Sequence, residues 1–260
     1  MSATGTAARH PVADTLTMTG RSLRHALRSV DSLLLSVLMP LILLVLMTVA
    51  FGGAMDTGGV DYIDYVAPGV VLLCAGYGAS MTAASVTRDM TEGIVDRFRT
   101  MRVVSSAVLT GHVVVSVLRN LVSTLIVVAT AFALGFRAEA TAAEWLGALG
   151  VLVLFILAMS WLAAAIGLLA RSVESSSALS FLILFLPYVS SAFAPVETMP
   201  GWIQGFAEHQ PVTPIVNTVR GLLLGTPVDH YAWPAVLWCL GATLVSAVGT
   251  ALLWRRSRTR

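Results

Sequence analysis

Six long stretches of this 260-residue chain are almost free of charged side chains, and they limit what the chain can fold into. Five contain no Asp, Glu, Lys or Arg, and the third is interrupted only by Arg119. A helix of about 20 apolar residues crosses the hydrocarbon core of a bilayer, and each stretch is long enough to do so. The predicted spans are 33–51, 65–86, 113–136, 146–170, 175–194 and 232–254.

The composition agrees with a membrane protein. Hydrophobic residues make up 57% of the chain and charged residues 12%, with a mean hydropathy of +0.83. A soluble domain carries roughly 25% charged residues. The sequence therefore excludes a soluble enzyme and predicts an all-α, polytopic membrane protein with a transmembrane domain over 33–254.

The arginines predict the orientation. If both termini are cytoplasmic, thirteen arginines lie inside, two lie outside and Arg119 lies in the membrane. Positive residues favour the cytoplasmic side, so the topology is N-in and C-in. The expected location is the inner membrane, with a basic cytoplasmic tail at 255–260.

Two cytoplasmic segments have helical patterns. Within the N-terminal region 1–32, Arg21, Arg24 and Arg28 share one face of an amphipathic helix that serves as a topology anchor or a docking surface. At 91–101, Phe98 and Met101 belong to an apolar stripe surrounded by charges of both signs. This second segment is either a solvated face or a helix that seats in a groove of another protein.

The connection at 195–231 contains five prolines and an apolar run too short to cross a bilayer. It predicts a pair of short interfacial or re-entrant helices on the outer side, with Trp202 and Phe206 at headgroup depth. Arg119 lies part way into the third span, where it either snorkels to the cytoplasmic interface or serves transport directly.

The sequence contains no lysine, because all sixteen basic residues are arginines. A P-loop requires a lysine on the nucleotide phosphates, so this chain does not bind ATP in that way. Cys74 and Cys239 fall inside apolar runs and do not have metal-type spacing.

The charged segment and the outer connection resemble the membrane subunit of ABC-type-2 exporters, in particular the daunorubicin-resistance-like drug-efflux permeases of actinobacteria. The resemblance covers nearly the whole chain. One departure is Arg102, where the family usually has a proline just after the Arg-Phe-Arg stretch. The matching stretches begin at Tyr65 (Tyr-Val-Ala-Pro-Gly), Glu92 (Glu-Gly-Ile-Val-Asp-Arg-Phe-Arg), Ser105 (as far as Gly111), Met199 (Met-Pro-Gly-Trp-Ile), Glu208 (Glu-His-Gln-Pro-Val-Thr-Pro) and Val219 (Val-Arg-Gly-Leu-Leu-Leu-Gly).

The resemblance implies a permease that exports drugs, antibiotics or lipids and is not itself an enzyme. Its implied partners are two cytoplasmic ABC ATPase subunits, a second permease copy or a sister permease, membrane lipid and the hydrophobic substrate, with no nucleic acid. ATP and Mg would be bound by the partner, with no cofactor in this chain.

The resemblance also implies site residues. The segment 91–101 would act as a coupling helix that contacts the ATPase, and the second and fifth spans would lie at the permease dimer interface. The ATPase contact would consist of Glu92, Gly93, Asp96, Arg97, Phe98 and Arg99. The substrate path or dimer interface would consist of Tyr77, Ser80, Met81, Phe181, Phe185 and Tyr188.

Three other functions compete with this interpretation. A secondary transporter usually needs ionisable groups at the midplane, but none of the six stretches contains Asp or Glu. An intramembrane enzyme would need paired carboxylates or a HExxH or GxSxG signature, which the sequence lacks. An ABC exporter of a cell-envelope lipid or polysaccharide stays within the family and changes only the cargo.

Overall fold

The computed structural model describes residues 19–20, 22–24, 30–54, 59–92 and 105–256. These residues form helices and connections without a β-strand. The eight α-helices among them are α1 (Val30–Phe51), α2 (Tyr62–Thr91), α3 (Ser105–Ala133), α4 (Ala142–Leu169), α5 (Val173–Leu184), α6 (Gly201–His209), α7 (Val212–Leu224) and α8 (Asp229–Arg256). Short 3-10 turns cover Leu186–Val189 and Val196–Thr198.

Among the described residues, four helices are long and apolar enough to cross a membrane. They correspond to α2, α3, α4 and α8. The shorter apolar segments are Ser36–Phe51, Val173–Val189 and Val212–Leu224. The all-helical, multi-pass architecture expected from the sequence is therefore confirmed.

Helix α2 forms the centre of the bundle. In its most apolar stretch 72% of the residues are buried, against 17% in the corresponding stretch of α8. It packs against α1, α3, α4, α5 and α7. Small side chains along α2 and α4 let these helices approach closely, as is common where helices associate in membranes.

Local signals set where two of the helices begin. Thr141 and Glu144 form a reciprocal capping box at the start of α4, and Ser172 and Ser175 form one at the start of α5. Each box satisfies backbone N–H groups that the first helical turn leaves without partners. The ends of these helices are therefore encoded in the sequence next to them.

The predicted span 175–194 is not one continuous helix. Helix α5 ends at Leu184, and a 3-10 turn and a bend follow. Pro187 has no N–H to donate, and its ring would clash with the carbonyl of Ile183 in an α-helix. The Nε2 of Gln210 donates to the carbonyl oxygens of Leu186 and Val189, both at 3.1 Å, and so satisfies two acceptors that the interrupted helix leaves free.

The connection after α5 contains two short helices, α6 and α7. The side chain of Trp202 on α6 is 83% exposed and that of Phe206 is 56% exposed, whereas most of α7 is buried against the bundle. In the N-terminal region, residues 19–20 and 22–24 are helical, with Arg24 exposed and Leu23 half-buried. The rest of the expected amphipathic helix, including Arg21 and Arg28, lies outside the described residues.

Candidate functional site

An aromatic ridge runs along α5 and the 3-10 turn that follows it. The rings of Phe181 and Phe185 meet edge to face at 4.9 Å between centroids, and that of Tyr188 lies 5.9 Å from Phe185. Tyr188 stacks on Phe193 at 5.2 Å, a contact that the sequence did not predict. The three expected side chains are 55%, 49% and 37% exposed, so the described part of the chain covers the ridge only in part.

Three further residues of the expected substrate path lie on α2. The side chain of Tyr77 lies near that of Tyr188, which joins the α2 residues to the ridge. Ser80 and Met81 are half-buried on α2, which packs against α5. Helices α2 and α5 therefore bring Tyr77 and the ridge together into one largely aromatic surface without charged side chains, whose side-chain polar groups are the hydroxyls of Tyr77, Ser80 and Tyr188.

Only one member of the expected ATPase contact is described. Glu92 is the residue that ends α2, and its N–H donates to the carbonyl of Arg88 at 2.9 Å. The others, Gly93, Asp96, Arg97, Phe98 and Arg99, lie outside the described residues.

An ion-pair geometry that sequence reasoning missed joins the end of α2 to α3. His112 Nε2 lies 3.0 Å from Asp89 Oδ2, and the two side chains are 8% and 13% exposed. The contact fixes α3 against the part of α2 that precedes the charged segment 91–101 in the sequence.

Arg119 points across the bundle toward α2. Its Nη2 donates to the carbonyl oxygen of Gly78 and to the Oγ1 of Thr82, both at 2.8 Å. Gly78 is about 20 Å along the helix from Thr91, at 1.5 Å per residue. The guanidinium therefore does not run to the helix end as snorkelling would require, because α2 supplies acceptors at that depth.

Next to Arg119, a small polar cluster joins α3 to α4 and α2. Ser160 on α4 donates to Ser116 Oγ at 2.9 Å, and the Nδ2 of Asn120 donates to the same oxygen at 3.4 Å. Asn120 is 1% exposed, and its Oδ1 has no hydrogen-bond partner among the described residues. The amide fills the space left open by Gly78, since a Cβ at Gly78 would collide with Asn120 Oδ1.

Gly78→Ala is expected to lower the free energy of unfolding by about 1–3 kcal/mol, because the added methyl group displaces a buried amide. Asn120→Ala removes that amide, so the double variant should recover most of the loss. The check is a double-mutant cycle on thermal unfolding of the detergent-solubilised protein. Additive effects of the two changes would contradict the close contact between α2 and α3.

Arg220 on α7 organises a second polar network, which the sequence did not predict. Its Nε donates to the Tyr65 carbonyl at 3.0 Å, its Nη1 to Asn217 Oδ1 at 2.8 Å and its Nη2 to the Ser191 carbonyl at 2.7 Å. The guanidinium carbon lies 3.7 Å from the centre of the Tyr65 ring. The sequence feature that could have indicated this network is a lone arginine in a short apolar helix.

Two hydroxyl groups add hydrogen bonds among the same residues of the Arg220 network. Tyr65 Oη donates to the Ser191 carbonyl at 2.9 Å, and Ser191 Oγ donates to Asn217 Oδ1 at 2.7 Å. These hydrogen bonds hold helix α7 against the start of α2 and against the part of the chain that follows α5. An open polar cavity of about 470 Å³ adjoins Arg220 and is also bordered by Glu197, Glu208 and Tyr231.

Cys74 and Cys239 are free and buried. Within the described residues, no group of three or more His, Cys, Asp or Glu side chains is arranged to hold a metal ion. The chemistry that these surfaces support is recognition of apolar and aromatic groups, together with fixed contacts between helices.

Comparison with known proteins identifies the family. Over 214 residues the chain is 34% identical to the daunorubicin resistance ABC transporter permease protein DrrB1 of Streptomyces coeruleorubidus, covering 82% of this chain and 73% of that protein. It is 26% identical over 258 residues to the probable doxorubicin resistance ABC transporter permease protein DrrC of Mycobacterium tuberculosis, covering 97% and 92%. It is also 28% identical over 219 residues to nodulation protein J of Rhizobium meliloti, covering 79% of each.

The family model for ABC-2 type transporters matches residues 13–224, most of the chain. Members of this family are transporter permease subunits, not catalytic enzymes, and in general they work with ABC ATPase subunits. With its several apolar helices, this is a multi-pass protein of the inner membrane. The chain belongs to the ABC-2 type transporter family, as its sequence motifs indicated.

Proposed function

We propose that this chain is the membrane half of an ATP-driven exporter that moves hydrophobic or amphiphilic compounds, such as drugs, out of the cell. The observation that carries the proposal is similarity over most of the chain to permeases named for daunorubicin and doxorubicin resistance. The exposed aromatic ridge supports it, because an apolar surface with few polar groups suits such cargo better than sugars or ions.

The proposed topology has six spans with both termini in the cytoplasm. Helix α1 has 22 residues and extends about 33 Å, enough to cross a bilayer. The fifth span would be α5 with its 3-10 extension, and α6 and α7 would lie on the outer side. The distribution of arginines supports this arrangement.

Two copies of this chain, or this chain and a sister permease, would meet through the ridge and the α2 residues Tyr77, Ser80 and Met81. The ridge is exposed in the single chain, and three aromatic side chains in a row are the kind of anchor that interfaces use. Cargo would move along the same surface when the two halves separate. Arg119 would hold α3 on α2 and so keep this surface in place.

Residues 91–101 would contact one of two partner subunits that bind ATP and Mg. This contact would couple ATP hydrolysis in the partner to transport by this chain. Charge reversal by Asp96→Arg or Arg97→Glu is expected to reduce permease-stimulated ATP hydrolysis at least about tenfold, since unpaired charges at a contact are costly. The readout is ATPase activity of the assembled complex in lipid vesicles. Unchanged stimulation would rule out these residues as the coupling contact.

The matched control for that prediction is Arg137→Glu, which reverses the charge of an exposed side chain in the connection between α3 and α4. In the proposed topology this residue lies on the outer side, away from the ATPase. The control protein should insert and stimulate ATP hydrolysis as the wild type does.

The function itself is tested by purifying the tagged permease from its host in mild detergent, identifying its partners and reconstituting the complex. We expect an ABC ATPase subunit to co-purify and the vesicles to accumulate daunorubicin with ATP but not with ATP and vanadate. Movement of labelled lipid instead of the drug would identify lipid as the cargo. Co-purification of no ATPase would reopen the secondary-transporter alternative.

A further inference from the structure

A second apolar feature lies inside a single chain, separate from the aromatic ridge. It is a cavity of about 130 Å³ at the junction of α2, α4, α5, α7 and α8. Its lining includes the side chains of Leu72, Phe155, Met159, Ile183, Ile215 and Trp238.

Alanines on two helices leave this space open. Ala158 on α4 and Ala242 on α8 border the cavity, whereas Gly76 on α2 makes room for Leu184 of α5, since a Cβ there would lie 2.9 Å from Leu184 Cδ1. On another side its wall contains Pro187, where α5 has ended, and Pro211, which precedes α7. The space therefore results from the break in α5 and from side chains that are too short to reach across it.

The walls make the cavity dry. A buried water requires about two to four polar partners, and the lining consists almost entirely of carbon atoms and sulfur. Atoms around an empty space of this kind lose dispersion contacts, and a guest of the right shape restores them. An apolar cavity of about 150 Å³ in another protein stays free of water and binds benzene.

The lining also favours one shape of guest. Phe155 and Trp238 offer aromatic partners, and Met159 offers a polarisable sulfur, all of which make favourable contacts with a ring. A compact volume on this scale fits one six-membered ring, whereas a lipid acyl chain needs an extended groove.

The cavity can be entered from the bilayer. Trp238 on its wall is 48% exposed and lies on α8, the least buried of the candidate spans. Cys239, the next residue, is 2% exposed and borders the same cavity. A guest that passes the indole therefore leaves the lipid and contacts only protein.

We propose that this cavity is a binding subsite for a single apolar ring of a hydrophobic small molecule taken from the membrane. That this guest is part of the exported cargo rests on the proposed function; that the cavity binds a ring does not. The subsite lies within one protomer, so it forms without a second copy of the chain.

The test uses the purified full-length permease in lipid nanodiscs and the photoreactive probe 3-trifluoromethyl-3-phenyldiazirine. Adducts are located by mass spectrometry, with and without excess toluene. We expect toluene-competable labelling on the α4 and α8 residues that line the cavity, and uncompeted labelling on lipid-facing residues such as Leu244. Competable labelling should fall at least about tenfold in Ala242→Phe, whose new ring fills the space.

The matched control is Ala251→Phe, the same change on the same helix at an exposed position, which should leave competable labelling unchanged. If Ala242→Phe does not fold, Ala158→Val fills the opposite side with less added volume. Labelling that toluene does not compete, or that persists in a folded filled variant, would overturn the proposal. Equal competition by dodecane at the same membrane concentration would assign the cavity to an acyl chain instead of a ring.

The binding readout requires neither ATP nor a partner chain, so it separates the two proposals. Loss of drug transport with competable labelling intact would count against the exporter function and leave the subsite standing. Drug transport without competable labelling would support the exporter function and count against the subsite.

Discussion

Arg220→Met is expected to lower the free energy of unfolding by about 3 kcal/mol, because hydrogen bonds to charged groups contribute roughly 1.5–3 kcal/mol each and this guanidinium makes several. Methionine keeps much of the length of the side chain but cannot donate to the Tyr65 and Ser191 carbonyls. The contact with the Tyr65 ring is lost as well. The measurement is the midpoint of thermal unfolding of the detergent-solubilised protein.

Arg220→Lys separates charge from geometry. Lysine keeps the positive charge and presents it as a point, whereas the planar fork of arginine reaches three acceptors at once. We expect Arg220→Lys to lose about half of the stability that Arg220→Met loses. The control is Arg171→Gln at an exposed arginine, where the change should stay within about 0.5 kcal/mol. An Arg220→Met protein as stable as this control would show that the network does not hold α7 in place.

Much of the fold was predictable because membrane spans are encoded locally. The predicted span 65–86 lies wholly within α2, and 232–254 lies within α8. The capping boxes at Thr141 and Ser172 likewise lie immediately before the helices they begin. Each of these signals involves neighbours in sequence, so the sequence can be interpreted without knowledge of the fold.

The predicted fifth span shows that hydrophobic composition can indicate an apolar stretch without predicting where the helix inside it ends. The stretch 175–194 is apolar and charge-free, yet α5 stops at Leu184, just before Pro187. Proline is tolerated in α1 and α2, which continue through Pro40 and Pro68. The difference is that Gln210, from a later part of the chain, supplies the donors that make the break at Pro187 acceptable.

The residues of the candidate site likewise divide into those that could be named before the structure was known and those that only the fold brings together. Phe181, Phe185 and Tyr188 were named because of the family resemblance, and the structure places their rings next to one another. Arg220 was not named, because its main partners are 155 and 29 residues away along the chain. The cavity that Leu72 and Trp238 share depends on five helices meeting, and no local pattern encodes such a junction.

Gly167→Ala should destabilise the protein by about 2 kcal/mol, because it overpacks a close contact between α2 and α4. A Cβ at this position would lie 2.8 Å from the Ala83 carbonyl oxygen and 2.7 Å from the Cβ of Val86. The first of these is a backbone atom, so the clash cannot be relieved by turning a side chain and the helices must move apart. Thr87 Oγ1, which donates to the Gly167 carbonyl at 3.0 Å, would lose that bond.

Gly150→Ala provides a control on the same helix, since a Cβ there meets nothing within 4 Å. In open space, alanine favours a helix over glycine by about 0.5–1 kcal/mol. The same chemical change is therefore expected to lower the unfolding midpoint at 167 and to raise or preserve it at 150. A rise of the midpoint at both positions would mean that helix propensity, not close packing, decides the effect.

The crossing at Gly167 also bears on transport, because α2 leads directly into the charged segment 91–101. If α2 and α4 move as one unit, separating them should weaken the response of the bundle to the ATPase. A folded Gly167→Ala protein should then hydrolyse ATP with less drug movement per ATP than Gly150→Ala. Thr87→Val, which removes the hydrogen bond to Gly167 with little change in shape, should show a smaller loss of the same kind, because the helices remain in contact.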